Sequence, residues 1–358
     1  MHKLLQVVAV LLALAAPQLA QAQEAPSVPA AHEDPYCNLL ALAGELPELA
    51  LLTYTTPGQP DTKAYDAEKH KSVDKSYTVT SADQLMIDNK FGNVQVNTWN
   101  KNEMQVKVNV TARAGTDAKA QEILDNIKII ELRENNLVSF KTEMSPMKIT
   151  GNTKKSFEIN YTVYMPVNNP LTVSNTYGDV YVADLKGKAA ITVKYGALKT
   201  DRLSSSGNTV KLAYGSGNCA FINGCNLQVS YSDFNLGAVN DLQGSSKFSD
   251  FRLGDLGQVL NLDVKYGTLK VTNVSRNIRN ISLESGFSPI ALNFEDNTSF
   301  NFNVNVQFAD FEVDKSLVNI TSLQKDYTSA EYKGNFGASS AKGTVTVTSK
   351  YGDVKFTK

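Results

Sequence analysis

The sequence predicts an all-β protein, a single-stranded β-solenoid of the β-helix or β-roll kind, with a short helical insertion near its N-terminal part. Three observations lead there. An aromatic residue returns at one kind of corner, at Phe91, Tyr177, Tyr195, Tyr214, Tyr231, Phe248, Tyr266, Phe287, Phe308 and Tyr351. From Tyr177 to Phe308 these residues lie 17–21 positions apart, a period that belongs to stacked repeats. Apolar residues alternate on both sides of each corner, as with Leu262, Val264, Leu269 and Val271 around Tyr266, which is strand periodicity. A glycine often follows the aromatic, at Gly178, Gly196, Gly215, Gly267 and Gly352, and supplies the backbone freedom of a tight turn.

Residues 1–23 read as a secretory signal peptide. Lys3 gives the basic start, Leu4 to Ala16 the apolar run, and Ala20-Gln21-Ala22 the small-residue cleavage site. The run is too short for a stable bilayer span. The mature chain is therefore expected to be exported, without a transmembrane span, to the periplasm, the outer-membrane surface or the medium. No cysteine directly follows the cleavage site, so no lipid anchor is expected. Residues 24–76, rich in Ala, Pro, Glu and Asp, are expected as a loosely ordered leader. Within it the leucine-rich stretch 37–54 predicts a short helix that caps one end of the repeats.

Residues 77–170 predict an N-terminal β part. Leu85, Ile87, Val94 and Val96 alternate as in the later repeats, and Val106, Val108 and Val110 mark another strand. Positions 116–127 switch to helical spacing, with Thr116 or Asp117 as N-cap. Further strands are expected over 136–143 and 157–165. Residues 171–358 carry the repeats. The alternation places Leu262, Val264, Tyr266, Leu269 and Val271 in one inward set, and Phe302, Val304, Val306, Phe308, Phe311 and Val313 in another. The corner rings are thus expected to form an inner ladder. The rhythm stretches after Phe308, where Tyr332 and Phe336 fit poorly, and a loop or distorted coil is expected there.

Lys and Arg total 35 against 36 Asp and Glu; this balance argues against a nucleic-acid or polybasic membrane binder. Cys219 and Cys225 bracket a five-residue stretch, expected either as a loop closed by a disulfide in an oxidising compartment or as two buried free thiols. Cys37 is left over. After the signal the chain keeps only His32 and His70, both ahead of the repeats. The repeats therefore offer no Ser–His or Cys–His nucleophile and no His-bound metal, and no catalytic residue, metal or cofactor is expected.

Asp179, Asp233, Asp250, Asp310 and Asp353 follow the corner, but Asn93, Ala197, Ser216, Thr268 and Pro289 interrupt the series. That pattern reads as turn preference rather than as a calcium groove or catalytic pair. Lys90, Lys194, Lys247, Lys265 and Lys350 precede the corner and are expected to point outward, where lysine keeps a sheet soluble and blocks edge pairing. Tyr181 and Trp99 fall off the inward register and are candidates for stacking on sugar rings. Asn-x-Ser/Thr triplets at Asn109, Asn160, Asn273, Asn280, Asn297 and Asn319 are expected by chance in an Asn- and Thr-rich chain.

The text "LMIDNKFGNVQVNTW" from Leu85 to Trp99, and "YTVYMPVNNPLTVSNTYGDVYVADLKGKAAITVKYGALKTDRL" from Tyr161 to Leu203, resemble a family of bacterial putative adhesins built from β-strand repeats, uncharacterised secreted proteins of the Bacteroidetes type. The resemblance runs over nearly all of residues 77–358 and implies an exported single-stranded β-solenoid. It carries no site residue. The function expected is a non-catalytic envelope or surface protein, an adhesin or scaffold, whose partner is a glycan or an envelope or surface protein. The alternatives are a carboxylate-based polysaccharide-active enzyme using Asp233 and Asp250, and a periplasmic signalling or envelope-stress partner that engages through its leader.

Overall fold

A computed structural model describes residues 65–145, 155–337 and 341–358. The expected signal peptide, Cys37 and the expected capping helix lie outside the described residues. The chain forms β1 (Ala67–Thr78), β2 (Gln84–Lys90), β3 (Val94–Trp99), β4 (Glu103–Ala114), α1 (Asp117–Asn126), β5 (Ile127–Glu134), β6 (Leu137–Met144) and β7 (Ser156–Pro166). There follow β8 (Leu171–Thr176), β9 (Val180–Val182), β10 (Ala189–Lys194), β11 (Ala197–Leu203), β12 (Asn208–Ala213), β13 (Ser216–Ser230), β14 (Asp233–Lys247) and β15 (Asp250–Lys265). The last are β16 (Thr268–Val274), β17 (Asn280–Gly286), β18 (Ile290–Phe294), β19 (Phe300–Gln307), β20 (Phe311–Val313), β21 (Val318–Lys325), β22 (Ser329–Phe336), β23 (Gly343–Lys350) and β24 (Val354–Thr357). Among the described residues the protein is all-β apart from α1 and a short 3-10 turn at Lys315–Leu317, and these strands join one large mixed sheet.

Alternation and register explain the sheet. Strands that precede a corner pair in parallel from β2 through β8, β10, β12 and the later halves of β13, β14 and β15 to β17. Strands that follow a corner pair likewise from β3 through β9, β11 and the early halves of β13, β14 and β15 to β16 and β18. Ile87, Val173, Ile191, Val210 and Leu227 are register partners along the first series, and all are essentially buried. A slip of one residue would turn every such side chain to solvent, so burial fixes the register. The buried residues of both series belong to one hydrophobic core.

At the N-terminal end the pairing turns antiparallel, β4 lying between β1 and β7 and β5 closing on β6. β1 starts at Ala67, inside the stretch read as leader. Its residues are mostly polar and exposed, so periodicity gave no strand signal; backbone pairing with the amphipathic β4 holds it. In α1 the Thr116 side chain caps the helix by accepting the Lys119 N–H, as N-cap chemistry requires. The helix buries Ala120, Ile123 and Leu124.

At the C-terminal end the loop or distorted coil expected after Phe308 is instead an antiparallel hairpin, with β22 lying between β19 and β21. Phe336 and Ala330 bury against the core while most of β21 stays exposed. The partial burial of one strand of the hairpin is what blurred the sequence rhythm.

Candidate functional site

The ten corner aromatics form one stacked column. In spatial order it runs Phe91, Tyr177, Tyr195, Tyr214, Tyr231, Phe248, Tyr266, Phe287, Tyr351, Phe308. Neighbouring ring centroids are 4.6–5.2 Å apart and neighbouring planes are within 15° of parallel. Phe157 closes the first end edge-on against Phe91 at 5.2 Å. Nine steps at the strand spacing of about 4.8 Å make a column roughly 43 Å long.

The rings do not lie inside, which corrects the expected inner ladder. Tyr214, Phe248, Tyr266, Phe287, Phe308 and Tyr351 are 36–52% exposed. The cause is the backbone. All ten residues adopt a left-handed φ of 51–63°, which turns the side chain out of the alternation while the residues two before and three after stay inward. Each such conformation costs a non-glycine residue about 1–2 kcal/mol; each stacked pair returns about 0.5–1.5 kcal/mol.

The residue after the ring is buried or half-buried and is small at every corner. A Cβ on Gly178 would meet the Gly92 carbonyl oxygen at 2.0 Å, and one on Gly196 would meet that of Gly178 at 2.0 Å. Serine enters where its hydroxyl replaces this backbone approach. Ser232 and Ser249 donate to the carbonyls of Ser230 and Lys247 and accept the N–H of Gly215 and Ser232 from the neighbouring repeat, all at 2.7–3.1 Å.

Two rows flank the column. Lys90, Lys194, Lys247, Lys265 and Lys350 occupy the position before the ring and face outward, with Thr176, Ala213, Ser230 and Gly286 between some of them in register. Lys265 pairs with Asp263 at 3.1 Å, and the Lys350 ammonium lies 5.6 Å from the Tyr351 ring centroid. On the other side, the acids hold the neighbouring repeat. Asp179 accepts the Ala197 N–H at 2.7 Å, Asp353 the Asp310 N–H at 2.9 Å, and Asp250 the Thr268 hydroxyl at 2.7 Å. Asp233 and Asp250 are register partners. Among the described residues no group of three or more His, Cys, Asp or Glu side chains is placed to hold a metal ion.

The remaining candidates are committed to structural contacts. The Tyr181 hydroxyl donates to Asp201 at 2.6 Å. Trp99 stacks on Tyr164 at 5.3 Å and donates its indole N–H to the Glu103 carbonyl at 2.7 Å. Cys219 and Cys225 are free and buried, so of the two readings the structure has the thiols rather than the bridge. The stretch between them is not a loop but part of β13, which places Cys219 between Thr200 and Leu236, and Cys225 between Asn208 and Leu242.

Sequence reasoning missed a polar cluster beneath the first corners. Asn89 and Asn175 are fully buried. Asn175 donates to the Gly92 carbonyl at 2.9 Å and Asn89 to that of Ile159 at 3.0 Å. The Thr142 hydroxyl bonds Asn89 and the Tyr161 phenol, both at 2.9 Å, and burial pushes the Tyr161 phenol up to about 12. The signal was there to be read: a polar residue, Asn89, Asn175, Ser246, Ser285 or Ser349, stands two places before the ring at an inward position.

Among solved structures the chain is similar to proteins described as adhesins. One is a "putative adhesin" from Bacteroides fragilis, at 11% identity and TM-score 0.36, covering 80% of this chain and 97% of that one. Another is a "putative cell adhesion protein" from Clostridium sporogenes, at 11% identity and TM-score 0.21, covering 81% and 99%. A third, from Parabacteroides distasonis, is described as a "putative lipid binding protein", at 9% identity and TM-score 0.31, covering 80% and 97%. No protein-family model matches the chain, and no curated protein matches it.

Proposed function

We propose that this chain is an exported, non-catalytic β-solenoid of the cell envelope or surface, an adhesin or scaffold that lays an extended partner along its corner column. The partner is a glycan chain or an envelope or surface protein. In this reading the two parallel series are two faces of one winding coil, and the regular strand-to-strand register of both series supports it. The single observation that carries the function is the column itself. Ten rings stand at backbone positions where glycine would be less strained, and they form a partly exposed aromatic stripe that carries six tyrosine hydroxyls. Because each ring covers its neighbours' faces, the stripe offers edges and hydroxyls rather than open faces. That suits a long partner bound by many weak contacts, whose affinities multiply along the stripe.

The test removes rings without disturbing the corner. Tyr214→Gly with Phe248→Gly keeps the left-handed backbone accessible and opens two gaps in the stripe, one on each side of Tyr231. The purified double variant is expected to keep its fold by circular dichroism and to lose about tenfold or more in affinity for immobilised envelope glycans and surface protein fractions, 1.4 kcal/mol. Protease shaving of intact cells is expected to remove the native protein. Unchanged binding in the variant, or protection until the outer membrane is broken, overturns the adhesion reading.

A further inference from the structure

The last strands of the chain are not the last in space. β23 pairs in parallel with β17 from Asn280↔Thr344 to Gly286↔Lys350, and on its other side with β19 from Phe300↔Gly343 to Gln307↔Lys350. β24 is likewise held between β18 and β20. The C-terminal segment thus fills a slot whose two walls were laid down earlier in the chain. Its inward residues Val345, Val347, Val354 and Phe356 are all at most 1% exposed. Its ring, Tyr351, completes the column between Phe287 and Phe308, at 4.6 and 4.9 Å.

We propose that the segment Gly343–Lys358 is an exchangeable insert, and that the slot between β17/β18 and β19/β20 also takes the same segment from a second copy of this chain. Without the insert the slot presents two unpaired parallel edges over an open core, which is how a sheet recruits a foreign strand. Exchange remakes every contact it breaks, so the two arrangements differ only in the link and in the cost of bringing two copies together.

The link also sets the geometry. Phe336 and Gly343 are both register partners of Phe300, on opposite sides of β19, two strand spacings or about 10 Å apart. Seven residue steps separate them, a reach of up to about 25 Å. That reach exceeds the separation of the two ends within one chain and extends to a copy docked against the same end. That end carries a surface cleft of about 530 Å³ lined by Phe311, Val313, Leu317 and Phe356, which a reciprocal exchange would cover.

Ser282 and Thr346 are register partners across the slot wall and serve as reporters in a Cys37→Ser chain. A single chain carrying both Ser282→Cys and Thr346→Cys is expected to close an internal disulfide on oxidation. Two chains carrying one substitution each, refolded together at high protein concentration, are expected to form the mixed disulfide in several-fold excess over either homodimer, increasingly so with concentration. Random collision of surface thiols would give homodimers as readily. Internal closure in the double-cysteine chain, with no excess of mixed disulfide at any concentration, overturns the proposal. A chain ending at residue 342 adds a second reading. If it folds, it is expected to bind a peptide of residues 343–358 and not its Val347→Asp form; folding without binding is equally fatal. If it does not fold, the cysteine pairs decide alone.

Discussion

Replacing Tyr266 by alanine and, separately, by glycine separates stacking from backbone strain. The ring stacks on Phe248 at 4.8 Å and on Phe287 at 5.2 Å, and it is 41% exposed. Alanine forfeits two stacked pairs, about 1–3 kcal/mol, and roughly 1 kcal/mol more of half-buried apolar area at ~25 cal/mol/Å². It keeps the left-handed φ of 55° and therefore keeps the strain. Glycine forfeits the same contacts but relieves about 1–2 kcal/mol of strain, less about 0.5–1 kcal/mol of added unfolded-state entropy. The expected order is wild type, then Tyr266→Gly, then Tyr266→Ala, the variants separated by roughly 0.5–1 kcal/mol. Urea unfolding at constant m-value reads this directly. A ring held inward on ordinary strand backbone demands the reverse order. If glycine is the less stable variant, the outward left-handed corner is refuted.

Three other outcomes follow from single sites. Burial pushes the Cys219 thiol up to about 11 and, together with its neighbour Cys219, the Cys225 thiol up to about 12, against an ordinary 9.0. Their contribution to stability is complete below about pH 9 and is lost as pH rises toward 11–12, so alkaline titration of a Cys37→Ser chain should lose stability there and a Cys219→Ala chain should lose less; at neutral pH iodoacetamide should label neither thiol until the chain unfolds. Asp83 is buried, bonded to Arg133 at 2.6 Å and to the Thr80 N–H at 2.6 Å, and these bonds, Arg133 foremost, hold its carboxyl below the usual range. The stabilisation is present above pH 3.8 and disappears as pH falls through the lowered value, so Asp83→Asn should weaken the fold at neutral pH and flatten its acid limb in a thermal-melt series. Gly196→Ala forces a Cβ against the Gly178 carbonyl and should cost about 1–3 kcal/mol or more, whereas Ala197→Gly next to it, on an outward half-buried position, should cost under 1 kcal/mol.

Much of the fold was legible because it depends on local periodicity. Val106, Val108 and Val110 alternate and become the inward face of β4; Thr116 caps α1; the aromatic corners recur at the spacing that stacks them. What alternation could not reveal was the sign of φ at the corner. A ring flanked by inward residues reads as inward when the backbone is assumed extended throughout, and only a left-handed residue breaks that parity. Glycine after the ring was read as the turn residue, yet at Gly178 and Gly196 its task is to let two backbones touch, while the aromatic before it takes the unusual dihedral. The order of strands in space was also out of reach. β23 has the same alternation and the same corner as every other repeat, and nothing local distinguishes a strand added at the end from one inserted two places back.

That insertion explains why the rhythm breaks where it does. A ladder that simply grew in chain order would need a uniform spacing up to its last ring. Here the spacing from Phe308 to Tyr351 is 43 residues, because the chain must run past the slot, build its far wall with β19 and β20, fold the β21–β22 hairpin over the end, and then return. The hairpin is therefore no defect in the repeat. It seals the outer side of β19 by antiparallel pairing, so that β19 presents only its other edge to the returning strand. Two consequences are tied together by this order. The column reaches its full length only when Tyr351 is seated, and the core at this end closes only when Phe356 packs among Phe294, Phe300 and Phe311. Any surface function that needs the unbroken stripe is thus conditional on the last segment of the chain, and a variant that loosens that segment should lose partner binding and end stability together.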